Sequence, residues 1–324
     1  MTPPLLEVDG LNVWFDLPGG RTLHAVQGVS FSVDAGTRLG LVGESGCGKS
    51  TTMLALMGLL PPTASVSGQI VFEGVDVLER GEQTIAPHRW KDIAMVFQGA
   101  MNAFDPVKRI GEQIAEPIEL HGLATGRDAA ARVRELLETV GIAPDRAKSY
   151  PHELSGGMRQ RAAIAMALAC NPRILLADEP TTALDVMVQA QILELLTYLS
   201  DELGLALVFV THDLPIVAHT CTHAAVMYAG KIVEQGPTDA LYHETRHPYT
   251  RLLWAATPDL DSEDTIVSIP GVPPRLDVEL HGCPFEPRCD RAAERCDSER
   301  PELLPVGEGH VSACHFAESL EVVA

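Results

Sequence analysis

The stretch that most limits what this chain can fold into is GESGCGKS, residues 43–50. It fits the pattern G-x-x-x-x-G-K-[ST], with a strand-like run, LGLV, before it and apolar residues at helical spacing after it. Glycines let a backbone approach phosphate closely, and amide groups at a helix N-terminus attract anions. We therefore predict a strand, a phosphate-binding loop and a helix, where Lys49 supplies a positive charge and Ser50 a hydroxyl for Mg²⁺. The residues predicted to line this loop are Gly43, Glu44, Ser45, Gly46, Cys47, Gly48, Lys49, Ser50 and Thr51.

Strand and helix patterns alternate around this loop. The runs LLEVDGLNVWF and HAVQGVSFSV predict antiparallel strands, and SGQIVFEGVDV predicts another hairpin. The pattern of residues from about 102 to 171 predicts mainly helices. Two further strands are predicted in RILLADEP and ALVFVTHD, and a helix from about 186 to 203 is predicted between them. We predict an α/β fold with a mostly parallel sheet, an antiparallel β subdomain and a helical insert within residues 1–240, followed by a small irregular extension over 241–324.

Composition limits the classes of function. The 324 residues carry a formal net charge of -20, which argues against a broad nucleic-acid surface. No apolar run approaches the roughly 18 residues that a membrane span needs, and the first residues lack the pattern of a secretory signal. We therefore expect a cytosolic chain, in which disulfides are rare.

A second candidate element for phosphate chemistry is ILLADE, residues 174–179. Carboxylates at the end of a buried parallel strand lie at the edge of the sheet where α/β proteins bind ligands. We predict that Asp178 faces Mg²⁺ and that Glu179 orients or activates water. Taken alone, the same residues before a proline would read as the start of a helix.

Six motifs in the same order make the chain resemble the nucleotide-binding subunits of ATP-binding cassette (ABC) transporters, over residues 5 to about 240. LSGGMRQR, residues 154–161, resembles the family signature, and ALD, Ala183 to Asp185, resembles its D-loop. Gln98 resembles the Q-loop glutamine, and His212 in VTHD resembles the switch histidine. Cys47 stands where the family often has serine, and we read it as tolerated.

The resemblance also suggests which aromatic residue stacks on adenine. Phe15 stands at the position where the family places this residue. Its neighbour Trp14 remains the alternative, because adjacent strand residues point to opposite faces. Sequence alone does not say which face meets the nucleotide.

A sandwich mechanism is what the resemblance implies. Two such subunits would hold two ATP molecules, each between the phosphate loop of one subunit and the signature of the other. The residues expected to act on the nucleotide are, for catalysis, Glu179, His212, Gln98 and Lys49; for Mg²⁺, Ser50, Gln98 and Asp178; and, at the interface, Ser155, Gly156, Gly157 and Asp185. A soluble ABC ATPase acting on nucleic acid or ribosomes is the alternative class. A binding module that uses ATP only as a switch is a third, but it would be expected to lack Glu179.

The C-terminal segment narrows the resemblance. HPYT at residues 247–250, then PGVPP and the pattern C-x-F-x-x-R-C, are similar to the C-terminal extension of oligopeptide and dipeptide import ATPases, a subfamily that includes nickel importers. This resemblance implies a peptide importer, with nickel as the alternative cargo. The implied partners are two transmembrane permease subunits, a second ABC ATPase that is either a copy or a relative, and an extracytoplasmic peptide-binding protein. The chain would then lie at the cytoplasmic face of the membrane, with no nucleic-acid partner.

Four cysteines close together in the sequence mark this extension. Their spacings, C-x5-C, C-x6-C and C-x17-C, select neither a zinc site nor a ferredoxin-type cluster. This Pro-rich segment has few residues to form an apolar core, so a bound metal that stabilises its fold is nonetheless favoured. These four positions resemble the ligands of a [4Fe–4S] cluster that some members of the subfamily contain, and we predict such a cluster here. The alternatives are a Zn²⁺ site, or thiols that are unliganded or disulfide-bonded. The predicted ligands are Cys283, Cys289, Cys296 and Cys314.

Overall fold

A computed structural model describes residues 3–99, 103–182, 184–256, 268–278 and 280–319. The chain divides into two compact units, one formed by Met1–Glu79 with Val210–Ala324 and the other by Arg80–Phe209. The predicted domain boundary near residue 240 stays a prediction. No helix among the described residues is both long and apolar enough to cross a membrane.

Strands and short helices alternate along most of the chain. The strands are β1 (Leu6–Leu17), β2 (Arg21–Val33), β3 (Arg38–Val42), β4 (Ala64–Phe72), β5 (Val75–Asp76), β6 (Ile93–Val96), β7 (Ile174–Asp178), β8 (Ala206–Thr211), β9 (His223–Tyr228), β10 (Lys231–Pro237), β11 (Leu304–Gly307) and β12 (His310–Ser312). The helices are α1 (Lys49–Leu56), α2 (Glu82–Ile85), α3 (Ile110–Leu120), α4 (Gly126–Thr139), α5 (Gly156–Ala167), α6 (Val186–Leu203), α7 (Leu214–Thr220), α8 (Thr238–His243), α9 (Pro248–Ala255) and α10 (Glu294–Ser298). Four short 3₁₀ segments among the described residues were not predicted from the sequence, and two of them, Pro144–Lys148 and Pro151–Glu153, lie between α4 and α5.

The first unit contains the predicted antiparallel subdomain. Its strands lie in the order β2-β1-β4-β5, and all neighbouring pairs are antiparallel. The apolar residues of β1 alternate with polar ones, so Leu6, Val8, Leu11 and Val13 are buried while Glu7 stays exposed. This confirms the two hairpins predicted from the sequence.

The first unit also contains strands in the order β11-β12-β10-β9-β3. β3 and β9 are parallel, and every other neighbouring pair in this series is antiparallel. The apolar run Leu39–Val42 in β3 is buried, as expected for a strand covered on both faces. The hairpin of β11 and β12 comes from the C-terminal extension, so this extension adds two strands that the sequence did not reveal.

The second unit contains the helical insert and the strand that carries the acidic pair. β6 and β7 are parallel, and all five residues of β7 are buried. Helices α3, α4 and α5 occupy the stretch predicted to be helical, and α6 covers the residues predicted for it. The boundary between the two units falls within β8. The α/β fold, with parallel and antiparallel strands, is thus confirmed.

Candidate nucleotide-binding site

The predicted phosphate loop connects β3 to α1, and two of its glycines are required by the space around them. Gly43 and Gly48 have φ values of 151° and 107°, in the region that favours glycine. A Cβ on Gly43 would lie 2.1 Å from the carbonyl oxygen of Met227, and one on Gly48 would lie 2.6 Å from that of Ala25. Any larger residue at either position would force the loop away from its neighbours.

Lys49 closes the loop from inside. Its side chain is buried, and Nζ donates hydrogen bonds to the carbonyl oxygens of Gly43, at 2.7 Å, and Glu44, at 3.0 Å. The ammonium group is therefore held within the loop. An incoming phosphate would meet a positive charge already in position.

The remaining loop residues differ in exposure. Ser45 and Gly46 are exposed, whereas Ser50 and Thr51, in the first turn of α1, are half-buried. Cys47 is buried, and burial raises the pKa of its thiol, so the group is an unreactive small core residue.

The two candidate adenine partners lie on β1, and both are half-buried. The Trp14 ring stacks on His24, with 4.6 Å between ring centroids and 20° between the planes. Phe15 lies opposite Leu23 in the β1–β2 register. One face of Trp14 is thus already covered, and the assignment of Phe15 stays a prediction.

In the second unit, Glu179 follows β7 directly and is held by two hydrogen bonds. The side-chain amide of Gln98 donates to Glu179 Oε2 at 2.8 Å, and the Thr182 hydroxyl donates to the same oxygen at 3.0 Å. Val96 pairs with Ala177 in the parallel register, so the two strands end side by side and Gln98 reaches Glu179. The structure therefore brings together two predicted catalytic residues that lie 81 positions apart.

The backbone of Glu179 is unusual, with a φ of 44°. A residue other than glycine in this region costs about 1–3 kcal/mol, and such residues concentrate at functional sites. Asp178, immediately before it, is 4% exposed at the end of the strand. A buried carboxylate in this position suits the oxygen ligands that Mg²⁺ prefers.

The signature and the D-loop both begin helices in the second unit. Ser155 caps α5, where its hydroxyl accepts a hydrogen bond from the amide of Met158 at 3.3 Å. Gly157 follows Gly156 in the first turn, and a Cβ on Gly157 would lie 2.7 Å from a methyl of Val188. Asp185 caps α6 by accepting from the amide of Val188 at 3.0 Å. Ala183 of the D-loop lies outside the described residues.

The switch histidine belongs to the first unit. His212 is exposed and directly follows β8, and the next residue, Asp213, caps α7. The phosphate loop also belongs to this unit, whereas Gln98, Glu179 and the signature belong to the second. The predicted roles of these residues toward nucleotide and Mg²⁺ stay predictions.

The sequence did not reveal that two C-terminal residues contact the phosphate loop. The guanidinium of Arg288 donates two hydrogen bonds to the carboxylate of Glu44, and the hydroxyl of Tyr249 accepts one from the Glu44 amide. Both residues lie within the resembling segments HPYT and C-x-F-x-x-R-C. These two segments marked the residues as typical of the C-terminal extension, but they did not indicate that Glu44 is the residue they contact.

The four C-terminal cysteines border one cavity. Its volume is about 20 Å³, which is room for roughly one water molecule. All four thiols are free, and burial raises the pKa of Cys289 and Cys314 to about 11. Metal ligands must be thiolates, and among the described residues no group of three or more His, Cys, Asp or Glu side chains is placed to hold a metal. A [4Fe–4S] cluster or Zn²⁺ would therefore require the four side chains to move together and to lose their protons.

Comparison with known proteins agrees with the motifs. The chain matches the ABC transporter family over residues 26–182 and the family described as the C-terminal region of oligopeptide/dipeptide transporters over residues 233–296. It is 48% identical, over 90% of this chain and 89% of the relative, to a probable peptide ABC transporter ATP-binding protein, y4tR, of Sinorhizobium fredii. It is 45% identical, over 96% of this chain and 92% of the relative, to the oligopeptide transport ATP-binding protein OppD of Escherichia coli.

A solved structure agrees as well. The dimeric, post-hydrolysis structure of the ATP-binding cassette MJ0796 bound to ADP and Pi superposes with a TM-score of 0.64 at 28% identity, covering 72% of this chain and 98% of that one. The resemblance found in the sequence is therefore confirmed. This chain belongs to the ATP-binding proteins of ABC transporters, in the oligopeptide/dipeptide branch of that family.

Proposed function

We propose that this chain hydrolyses ATP to power the import of di- or oligopeptides through separate membrane subunits. The observation that carries the catalytic part is the contact between Gln98 and Glu179, because it holds a carboxylate in position at the end of β7. The names of the relatives, both of which refer to peptide transport, favour peptides over nickel as cargo.

The residues divide the chemistry between them. Lys49 and the loop amides bind the phosphates, and Glu179 orients the attacking water while Gln98 and Thr182 hold its carboxylate. Asp178 and Ser50 would hold Mg²⁺, which neutralises phosphate charge when bound. His212 contacts the γ-phosphate.

The signature acts on the nucleotide of a second subunit. The amides of Gly156 and Gly157 lie at the N-terminus of α5, where Ser155 already satisfies the amide of Met158. Helix N-termini favour anions, so these amides suit a γ-phosphate that the partner's loop holds. Asp185 begins the neighbouring helix α6. Binding and hydrolysis then become closing and opening of a dimer.

The variant Glu179→Gln tests the catalytic assignment. It keeps the shape of the side chain but removes the base, so ATP binding is expected to persist while turnover falls at least about 100-fold. Glu194→Gln, at an exposed position of α6, is the matched control and keeps normal turnover. Near-normal hydrolysis by Glu179→Gln would overturn the assignment.

The permease partners are inferred from the helical insert. Val107 and Leu120 in this region are 79% and 76% exposed, and exposed large apolar residues suit a docking surface. We expect two permeases, a second ABC ATPase and an extracytoplasmic peptide-binding protein in the native complex, at the cytoplasmic face of the membrane.

Native purification tests these partners. Mass spectrometry of the purified complex identifies the subunits, and co-purification with ribosomes instead would contradict the proposal. In the reconstituted complex, peptides are expected to stimulate ATP hydrolysis. Stimulation by nickel and not by peptides would assign the alternative cargo.

We also propose that Cys283, Cys289, Cys296 and Cys314 hold a metal centre, with [4Fe–4S] as the first candidate and Zn²⁺ as the alternative. What supports this is that all four thiols border one cavity. Holding a centre there requires deprotonation and movement of the side chains. Chemical analysis of anaerobically purified protein for iron, acid-labile sulfide and zinc tests the proposal, and a preparation with none of these would refute it.

A further inference from the structure

Arg288 of the C-terminal extension reaches the phosphate loop through a two-point ion pair. Its Nη1 lies 2.6 Å from Glu44 Oε2, and its Nη2 lies 2.9 Å from Glu44 Oε1. The Arg288 side chain is 4% exposed and that of Glu44 is 24% exposed. A planar guanidinium that meets both oxygens of a carboxylate fixes its orientation as well as its charge.

The guanidinium is itself held on several sides. Nε donates to the carbonyl oxygen of Pro270 at 2.7 Å, and Nη1 also donates to the hydroxyl of Tyr228 at 3.1 Å. The group lies over the rings of Tyr228 and Phe285, 5.7 Å and 5.8 Å from their centroids. Arg288 therefore has little freedom to follow Glu44 if the loop moves.

Glu44 is held at its backbone as well as at its carboxylate. Its amide donates to the hydroxyl of Tyr249 at 2.9 Å, and its carbonyl oxygen accepts from Lys49. Burial raises the pKa of Tyr249, so the phenol stays neutral and can accept this bond. The rings of Tyr249, Tyr228 and Phe285 pack together with centroids 4.6–5.3 Å apart. One residue of the loop is thus fixed at three points, two of which come from the C-terminal extension.

We propose that Arg288 and Tyr249 are positioning residues for the phosphate loop, which they hold in the conformation that binds ATP. They do not touch the nucleotide, and they act through Glu44. Holding a loop in its binding conformation lowers the entropy that binding must remove, and so it raises affinity. This inference rests on the proposed role of the loop as the ATP site.

A purely structural role for Arg288 makes a different prediction. If the ion pair only fastened the extension, its loss would lower the melting temperature and leave the affinity for ATP unchanged. If it positions the loop, the KM for ATP rises while kcat changes little, because Glu179 and Gln98 stay intact. The decisive readouts are therefore KM and kcat for ATP, with an equilibrium titration of ATP binding.

The test uses full-length variants. Arg288→Gln and Glu44→Gln are each expected to raise the KM and Kd for ATP about tenfold, since a hydrogen bond to a charged group is worth about one tenfold step or more. Arg288→Lys keeps the positive charge but cannot donate to both oxygens of the carboxylate as a guanidinium does. Its KM for ATP should therefore lie between those of the wild type and Arg288→Gln. The double variant should be no worse than Arg288→Gln, because both changes remove one contact.

Arg295→Gln is the matched control. Arg295 lies in the same extension and donates to Glu299 at 2.6 Å, but both residues are exposed. We expect its KM for ATP to equal that of the wild type. If Arg288→Gln fails to fold, Arg288→Lys and Glu44→Gln carry the test. Unchanged ATP affinity in folded variants would overturn the inference, whereas a wild-type chain that binds no ATP would refute the proposed function instead.

Discussion

The phosphate loop and the carboxylate of Glu179, for which we propose a catalytic role, are held in opposite ways. Around the loop, Lys49 and Arg288 are almost fully buried, and both carry a full positive charge to their contacts. Around Glu179, the supporting amide of Gln98 and hydroxyl of Thr182 belong to exposed residues and are neutral donors. The binding element is thus fixed by buried charges, and the catalytic element by exposed hydrogen bonds.

This difference separates affinity from turnover. Buried ion pairs and hydrogen bonds to charged groups are worth more than exposed neutral ones, and they resist displacement by water. A loop held in this way is ready before ATP arrives. A carboxylate that accepts hydrogen bonds from exposed side chains can exchange these donors when nucleotide or a second subunit approaches, which suits a residue that must respond to binding. Substitutions near the loop should therefore change KM, and substitutions near Glu179 should change kcat.

The largest effect expected on ATP binding comes from Lys49→Ala. The change removes the ammonium group and leaves the carbonyl oxygens of Gly43 and Glu44 without this donor, so the affinity for ATP should fall roughly 100-fold. Equilibrium titration with ATP measures the loss. The matched control is Lys91→Ala, which removes the same charge from an exposed position and should bind ATP normally. Normal ATP affinity in Lys49→Ala would contradict the claim that buried charges at the loop determine ATP binding.

Local patterns in the sequence predicted much of this site. The glycines at 43 and 48 follow from the loop pattern, and the structure shows the backbone contacts that exclude other residues there. Ser155 precedes two glycines at the start of α5, where its hydroxyl accepts a hydrogen bond from the amide of Met158, three residues further on. Such features are predictable because cause and effect lie within one turn of the chain.

Long-range contacts could not be predicted in the same way. Arg288 and Glu44 are 244 positions apart, and neither residue carries a local sign of the other. The β11–β12 hairpin was missed because β11, with the sequence LPVG, is mostly exposed and lacks an alternating apolar pattern. The hairpin is stabilised by the pairing of β12 with β10, a contact between distant parts of the chain that local strand propensity does not reveal.

The next largest effect is expected from Gln98→Ala, on the catalytic side of the contrast. Loss of the bond to Glu179 Oε2 removes one of the donors that orient the carboxylate, so kcat should fall about tenfold, while the KM for ATP changes less than about twofold. Steady-state hydrolysis by the full chain measures both constants. Gln83→Ala, at an exposed position of α2, is the control and should match the wild type. A rise in KM with unchanged kcat would show that Gln98 acts through nucleotide binding instead.

The smallest effect is expected from Tyr249→Phe, which tests the contribution of a neutral hydrogen bond to the position of the phosphate loop. The ring and its packing remain, but the amide of Glu44 loses its acceptor. A neutral hydrogen bond contributes about 1 kcal/mol, so the KM for ATP should rise about fivefold with kcat unchanged. Tyr242→Phe, at a half-exposed position of α8, is the matched control and should leave both constants unchanged.

The size of the Tyr249→Phe effect relative to Arg288→Gln then decides how the loop is held. An effect clearly below that of Arg288→Gln means that the buried charge on the Glu44 carboxylate dominates, as the contrast between the two regions requires. Equal effects would mean that the position of the Glu44 backbone controls ATP affinity, because the group that Tyr249→Phe removes is the hydroxyl that accepts from the Glu44 amide. In that case the ion pair would act by placing the amide, and burial of charge would not be what separates the binding element from the catalytic one.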